Sequence, residues 1–180
     1  MRIIAGAWRG RALVAPLGDA TRPTADRVRQ ALFDRLMHAP WAGRGAVDAA
    51  RVLDAFAGTG ALGLEALSRG AAHATFLDTG RAALAALRGN IAACRAEGCC
   101  TVLAADALRP PPGQGCGLVF LDPPYGQGLV APALLALKAA GWIAPGALIV
   151  AEIGREEALP RPDPLDERTH GAARVVAWRA

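Results

Sequence analysis

No C-x-x-C spacing joins the four cysteines, which stand at positions 94, 99, 100 and 116. With no secretory signal ahead of them, they read as buried free thiols, not as disulfides or zinc ligands. His38, His73 and His170 are equally scattered. Neither a metal site nor a histidine base is therefore expected. Long hydrophobic runs are missing too. The apolar stretch after Arg2 lasts six residues before Arg9 breaks it, too short for the core of a signal peptide. The longest apolar window, residues 129–151, is interrupted by Pro132, Lys138, Gly141, Pro145 and Gly146. It reads as helix, turn and strand, and not as a membrane span. A cytoplasmic protein with no membrane partner is the expectation. No repeat or zipper pattern is present, so a monomer is expected.

Lysine is nearly absent: one lysine stands against 19 arginines. Codon bias explains arginine in place of lysine, but not where the excess lies. Residues 1–35 hold seven arginines and three aspartates, which accounts for the whole net charge of +4, while the other 145 residues balance. A basic segment on a neutral body fits a polyanion-binding face. At 180 residues and 53% hydrophobic content, the chain suits one α/β domain with a sizeable core.

The motif that organises the rest is residues 52–63, VLDAFAGTGALG. A short apolar strand breaks into glycines and restarts as a helix. Gly58, Gly60 and Gly63 fit G-x-G-x-x-G, which gives a tight turn, a close ligand approach and close helix–strand packing. The helix N-terminus then turns free N–H groups toward the ligand. Asp78 ends the next apolar strand, 18 positions after Gly60, and suits the two hydroxyls of a ribose. This much fits NAD or S-adenosylmethionine. Asp54, beside the loop, suits an ammonium group better than a phosphate and so favours the second.

The stretch Asp122-Pro123-Pro124-Tyr125 follows another buried-strand pattern, residues 117–121. It therefore lies at the carboxyl end of a strand, where open α/β sheets bind ligands. Asp122 offers a carboxylate acceptor, Pro123 a carbonyl with no N–H, and Tyr125 a flat face for stacking a base. Two acceptors and a plate suit the exocyclic amine of a planar base or amide. Accepting both N–H hydrogens turns the nitrogen lone pair toward an electrophile such as a sulfonium methyl.

Taken in order, residues 2–15 read as a small hairpin with Trp8 packed, and Arg9 and Arg11 at its tip or just past it. Thr24 is the expected N-cap of a helix to about Met37, with Val28, Ala31, Leu32 and Leu36 as its apolar stripe. Strands 51–55, 73–78, 101–105, 117–121 and 146–152 alternate with helices 61–69, 80–97 and 129–140, a parallel α/β pattern. The tail has a loop with Pro160, Pro162 and Pro164 and a last strand over 173–178.

The segments MRIIAGAWRGRAL, TRPTADRVRQALFDRL, VLDAFAGTGALGLEALSRGA and LDPPY together resemble the RsmD family of bacterial 16S rRNA guanine-N2 methyltransferases, over nearly the whole chain. The resemblance implies a class I S-adenosylmethionine-dependent methyltransferase fold. This is α/β and Rossmann-like, a mostly parallel seven-stranded sheet with an antiparallel last strand, after an N-terminal hairpin and helix. It implies one domain, with a basic extension over residues 1–40 and a catalytic core over 41–180. The donor is S-adenosylmethionine and the partner 16S rRNA, in the small subunit or an assembly intermediate. Asp106 would hold the adenine amine. Phe56 and Ala107 join Asp54, Gly58, Gly60 and Asp78 in the cofactor set. Arg22, Arg27 and Arg29 would face RNA with Arg9 and Arg11. Asp78 stands where relatives often carry Glu, and Gly80 where a polar residue is common. Both affect the detail of ribose contact.

Other readings compete. D-P-P-Y also serves amino-methyltransferases acting on DNA adenine or another planar amine, such as a protein glutamine. An NAD-dependent oxidoreductase shares the glycine loop but gives no role to D-P-P-Y. A non-catalytic RNA-binding module would not need Asp54, Asp78, Asp106 and D-P-P-Y intact.

Overall fold

The computed structural model describes residues 1–15, 23–124, 126–158 and 163–180. Its strands are β1 (Arg51–Asp54), β2 (His73–Asp78), β3 (Cys100–Ala104), β4 (Cys116–Leu121), β5 (Ile143–Gly154), β6 (Asp166–His170) and β7 (Ala173–Arg179). They form one sheet in the order β3-β2-β1-β4-β5-β7-β6. Strands β1 to β5 pair in parallel, and β7 runs against both its neighbours. This is the class I methyltransferase topology that the resemblance implies.

The central strands are apolar on both faces, as a sheet covered on both sides requires. Alternate residues point to opposite sides. Val52, Phe76, Leu118, Phe120, Leu148 and Val150 enter one core. Leu53, Leu77, Val119, Leu121, Ile149 and Ala151 enter the other. The first core is closed by α1 (Pro23–His38), α2 (Ala61–Ser68) and α3 (Arg81–Cys94). The second is closed by α4 (Val130–Ala139), Trp142 and Trp178.

Several boundaries differ from the sequence reading. Helix α1 begins at Pro23, so Thr24 lies inside it and is not the N-cap. Proline suits the first helical position because its φ is preset and its missing N–H would have had no partner. The buried face of α1 is Arg29, Phe33 and Leu36, while Ala31 is exposed. Helix α3 stops at Cys94 because Arg95 turns left-handed, at φ 54°. Strand β5 starts earlier than read. A register shift between Cys116 and Leu118 lets Pro145 and Gly146 ride within it. Pro160 and Pro162 lie outside the described residues.

Residues 1–15 form the expected hairpin-like turn, bridged between Arg2 and Ala12. It is fastened to the helices by side chains. Glu65 of α2 accepts from the Ile4 and Ala5 N–H groups at 2.7 and 3.0 Å. The Ser68 hydroxyl accepts from Trp8 N–H at 3.0 Å. Gly6 lies so close to Ser68 that a Cβ would fall 1.7 Å from its carbonyl oxygen, and its φ is +82°. Asn90 of α3 accepts from Val14 N–H at 2.8 Å. It also donates to the Val14 and Thr59 carbonyls, each at 2.9 Å.

Candidate active site

The parallel register gathers the acids at one end of the sheet. Asp54 pairs with Phe76 on one side and Phe120 on the other. Asp78 and Asp122 therefore each stand two residues beyond it, about 6.6 Å further along the strand direction. Asp106 stands two residues beyond Ala104, which pairs with Asp78. Glu152 follows Ala151, which pairs with Leu121, so it is level with Asp122.

Between β1 and α2 the chain makes the glycine turn. Gly58 and Gly60 have φ of +53° and +77°, values that glycine adopts without penalty. The three glycines divide the work. A Cβ on Gly60 would fall 2.3 Å from Leu87 Cδ1, and one on Gly63 2.3 Å from Phe76 Cε1. Both positions therefore serve helix–strand packing. A Cβ on Gly58 would meet nothing within 4 Å, so this glycine opens onto the cleft. Gly58 N–H donates to Asp78 Oδ2 and Gly80 N–H to Asp78 Oδ1, each at 2.7 Å. The acid thus fixes the loop, and each oxygen keeps a lone pair for a further donor.

Asp54 is 1% exposed and accepts from Gly63 N–H at 3.0 Å. Burial pushes its carboxyl up, to about 8. The Gly63 bond opposes the rise, and the charges of Asp122 and Asp78 add to it. That repulsion is itself a sign that the three acids converge. Asp106 accepts from Leu108 N–H at 2.9 Å, which closes a tight turn. Ala107 beside it is buried, and Phe56 is half-buried against the second core.

Asp122 stands exposed at the mouth, above buried Pro123. Desolvation of the part of it that faces protein, and then the like charge of Glu152, push its carboxyl up to about 7. Tyr125 lies outside the described residues. The sequence reading passed over Glu152. Its signal was a lone acid in the run LIVAEIG.

The predicted basic residues separate. Arg9 is exposed in the hairpin turn and Arg27 on α1, and exposed Arg11 donates to the Ala93 carbonyl. Arg22 lies outside the described residues. Arg29 is not on the solvent face. It is 5% exposed, its Nη2 donates to Asp26 at 3.0 Å and to the Arg2 carbonyl, and its Nε lies 3.7 Å from Glu65. Glu65 is fully buried and also bound by Arg69 at 2.7 Å. A buried carboxylate needs such partners, so Arg29 is a structural cation and no longer counts among the RNA-facing residues. The stripe read from the sequence, 28, 31, 32 and 36, is turned from the buried line 29, 33 and 36, and so left Arg29 on the wrong side.

A recess of about 320 Å³ lies at the opposite end of the sheet. It is lined by Ala46, Asp48, Gly117, Pro145, Gly146 and Arg179 among others. None of the acids above reaches it. Among the described residues there is no group of three or more His, Cys, Asp or Glu placed to hold a metal ion. No helix there is long and apolar enough to cross a membrane.

Residues 1–178 match the family described as conserved hypothetical protein 95. The chain is 43% identical over 162 residues to ribosomal RNA small subunit methyltransferase D of Escherichia coli K12, covering 89% of this chain and 78% of that one. It is 37% identical to the protein of the same name from Haemophilus influenzae, covering 99% and 92%. The solved structure of Escherichia coli yhhF superposes with a TM-score of 0.85 at 38% identity, covering 99% and 97%.

Proposed function

The chain belongs to the conserved hypothetical protein 95 family, the RsmD family, and from that premise we propose that it transfers a methyl group from S-adenosylmethionine to the N2 amine of a guanine in 16S rRNA. The observation that carries this reading is Asp122-Pro123, held at the carboxyl end of β4 beside the glycine loop. The relatives' name supports small-subunit rRNA as the substrate.

The residues fit the donor. Gly58 leaves room for it, Asp78 keeps lone pairs for the ribose hydroxyls, and Asp106 with Ala107 borders the adenine position. Asp54 and Phe56 line the amino-acid end. S-adenosylmethionine supplies an electrophilic methyl on a sulfonium. The target guanine is unstacked into the site, where Tyr125 offers a stacking face. Asp122 and the Pro123 carbonyl accept the two N–H hydrogens and aim the nitrogen lone pair. The amine nitrogen bonds to the methyl carbon as the carbon–sulfur bond breaks, and the methylated amine then loses a proton. With a carboxyl pushed up to about 7, Asp122 suits that proton. Residues 1–40 act as the RNA-facing extension of a single domain whose core is 41–180. Arg9, Arg11 and Arg27 are exposed and suit contact with RNA phosphates, a role the resemblance also gives to Arg22.

The test is methyl transfer from labelled S-adenosylmethionine to undermethylated small subunits, with duplex DNA and total protein as parallel acceptors. Label in N2-methylguanosine after digestion is the expected result. Label in DNA adenine or protein glutamine would overturn the substrate, and no transfer to any acceptor would overturn the enzyme.

A further inference from the structure

We infer that the exposed face of α3 is part of the rRNA-binding surface and carries the phosphodiester backbone away from the active-site mouth; this rests on the reading of the protein as an rRNA methyltransferase. Arg81, Arg88 and Arg95 recur every seven residues. Seven residues are close to two helical turns, so Arg81 and Arg88 share one line of α3, about 10 Å apart, and Arg95 follows at the left-handed residue that ends the helix. All three are exposed, and Arg81 and Arg88 flank the buried stripe of Leu84, Leu87, Ile91 and Cys94.

The hairpin continues this stripe. Arg11 donates to the Ala93 carbonyl of α3, and Asn90 clamps Val14. Residues 1–15 and 81–96 together hold six arginines, at 2, 9, 11, 81, 88 and 95, and no acid. Among the described residues none of the six pairs with a carboxylate. Six arginines elsewhere are matched: Arg29 with Asp26 and Glu65, Arg35 with Asp166, Arg69 with Glu65 and Asp34, Arg155 with Glu156, Arg168 with Asp166 and Arg174 with Glu167, while Arg27, Arg51 and Arg109 stand singly and do not form a row. Codon bias supplies arginines but does not remove acids from these two segments, beyond which the next acid is Glu97.

Arg81 works against its own helix. It is the first residue of α3, whose N-cap is Gly80, and the one carboxylate at that end, Asp78, is taken up by the Gly80 and Gly58 N–H groups. A cation there meets the positive end of the helix dipole. A self-repelling patch of this kind is relieved by a polyanion. Arg81 also lies three residues after Asp78, on a strand two places from β4, which is about 10 Å across the sheet. RNA flanking a base held at Asp122 thus reaches the start of the stripe.

The experiment compares binding of 16S rRNA across a salt series for three proteins: wild type, the triple variant R81A/R88A/R95A, and the charge-matched control K138A/R155A/R168A on other surfaces. Loss of about three phosphate contacts lowers the salt slope by about 2–3, with a loss of at least about tenfold in affinity at 150 mM salt. The control variant is expected to keep most of both, and S-adenosylmethionine affinity is unchanged in all three. An unchanged slope in the α3 variant, or equal losses in both triple variants, overturns the inference while wild-type methyl transfer leaves the parent reading standing. Weakened binding to assembled subunits with naked rRNA unaffected would assign the stripe to a protein contact and overturn it as well. Wild type that neither binds rRNA nor methylates it would overturn the parent reading itself.

Discussion

At their carboxyl ends β1, β2 and β4 lead to Asp54, Asp78 and Asp122. At their amino ends β1, β4 and β5 border a recess of about 320 Å³ lined mainly by alanine, glycine and proline. The recess has room, but its charged groups are already engaged or dispersed. Arg179 donates to the Gly146 and Trp41 carbonyls at 3.1 and 3.4 Å. The difference follows from chain direction. Helix α2 starts where β1 ends, and α3 where β2 ends, so helix N-termini and their unpaired N–H groups collect at the carboxyl edge. Acids gather there, with Asp54 accepting from Gly63 in the first turn of α2 and Asp78 from Gly80 at the start of α3. Volume alone points to one end of this sheet; converging acids and open backbone point to the other, where the proposed reaction needs them.

The hardest blow to that contrast is Asp122→Ala. Turnover is expected to fall by at least about 100-fold while S-adenosylmethionine affinity stays within about threefold, read from single-turnover rates and calorimetric titration. The pH profile sharpens the point. The carboxyl is raised to about 7, so its acceptor form is present above that pH and is lost as pH falls through it. The rate should drop on the acid side with a midpoint near 7, and Glu152→Gln should move the midpoint down by removing a like charge. A profile that Glu152→Gln leaves in place would detach Glu152 from the site.

Next in size is a pair of glycine substitutions in one loop. Gly60→Ala combines a left-handed backbone with a Cβ 2.3 Å from Leu87 and should cost about 2–4 kcal/mol of stability. Gly58→Ala carries the backbone cost alone, about 1–2 kcal/mol, yet should lose more S-adenosylmethionine affinity per unit of stability. Urea melts and cofactor titrations on both variants check this, and equal ratios would show that Gly58 does not face the ligand. The smallest effect is expected at the other end. Gly117→Leu projects into the recess, where a Cβ meets nothing within 4 Å, and kcat/KM should stay within about twofold. A large loss would make the recess functional.

The sheet, the glycine turn and the Asp122 loop were legible because buried parallel strands read as apolar runs and their ends as acids or glycines. What stayed hidden was polar and internal. Arg29 reads as a surface arginine until Glu65 is found beneath it, 36 positions on in the chain. Glu65 and Asn90 each stand in an apolar helical stretch, and only their long-range backbone partners explain them. The end of α3 was misjudged because a left-handed arginine at 95 carries no glycine signal.

The fastening of residues 1–15 bears on the order in which the chain takes shape. Its partners Glu65 and Asn90 are 61 and 76 residues away from Ile4 and Val14. The hairpin leaves the ribosome long before either, so its two buried apolar residues, Ile3 and Leu13, have no surface to cover them until α2 and α3 are made. Residues 1–15 therefore dock only after α2 and α3 are made, and the arginines they carry are set in place only once the helices behind the glycine loop are built.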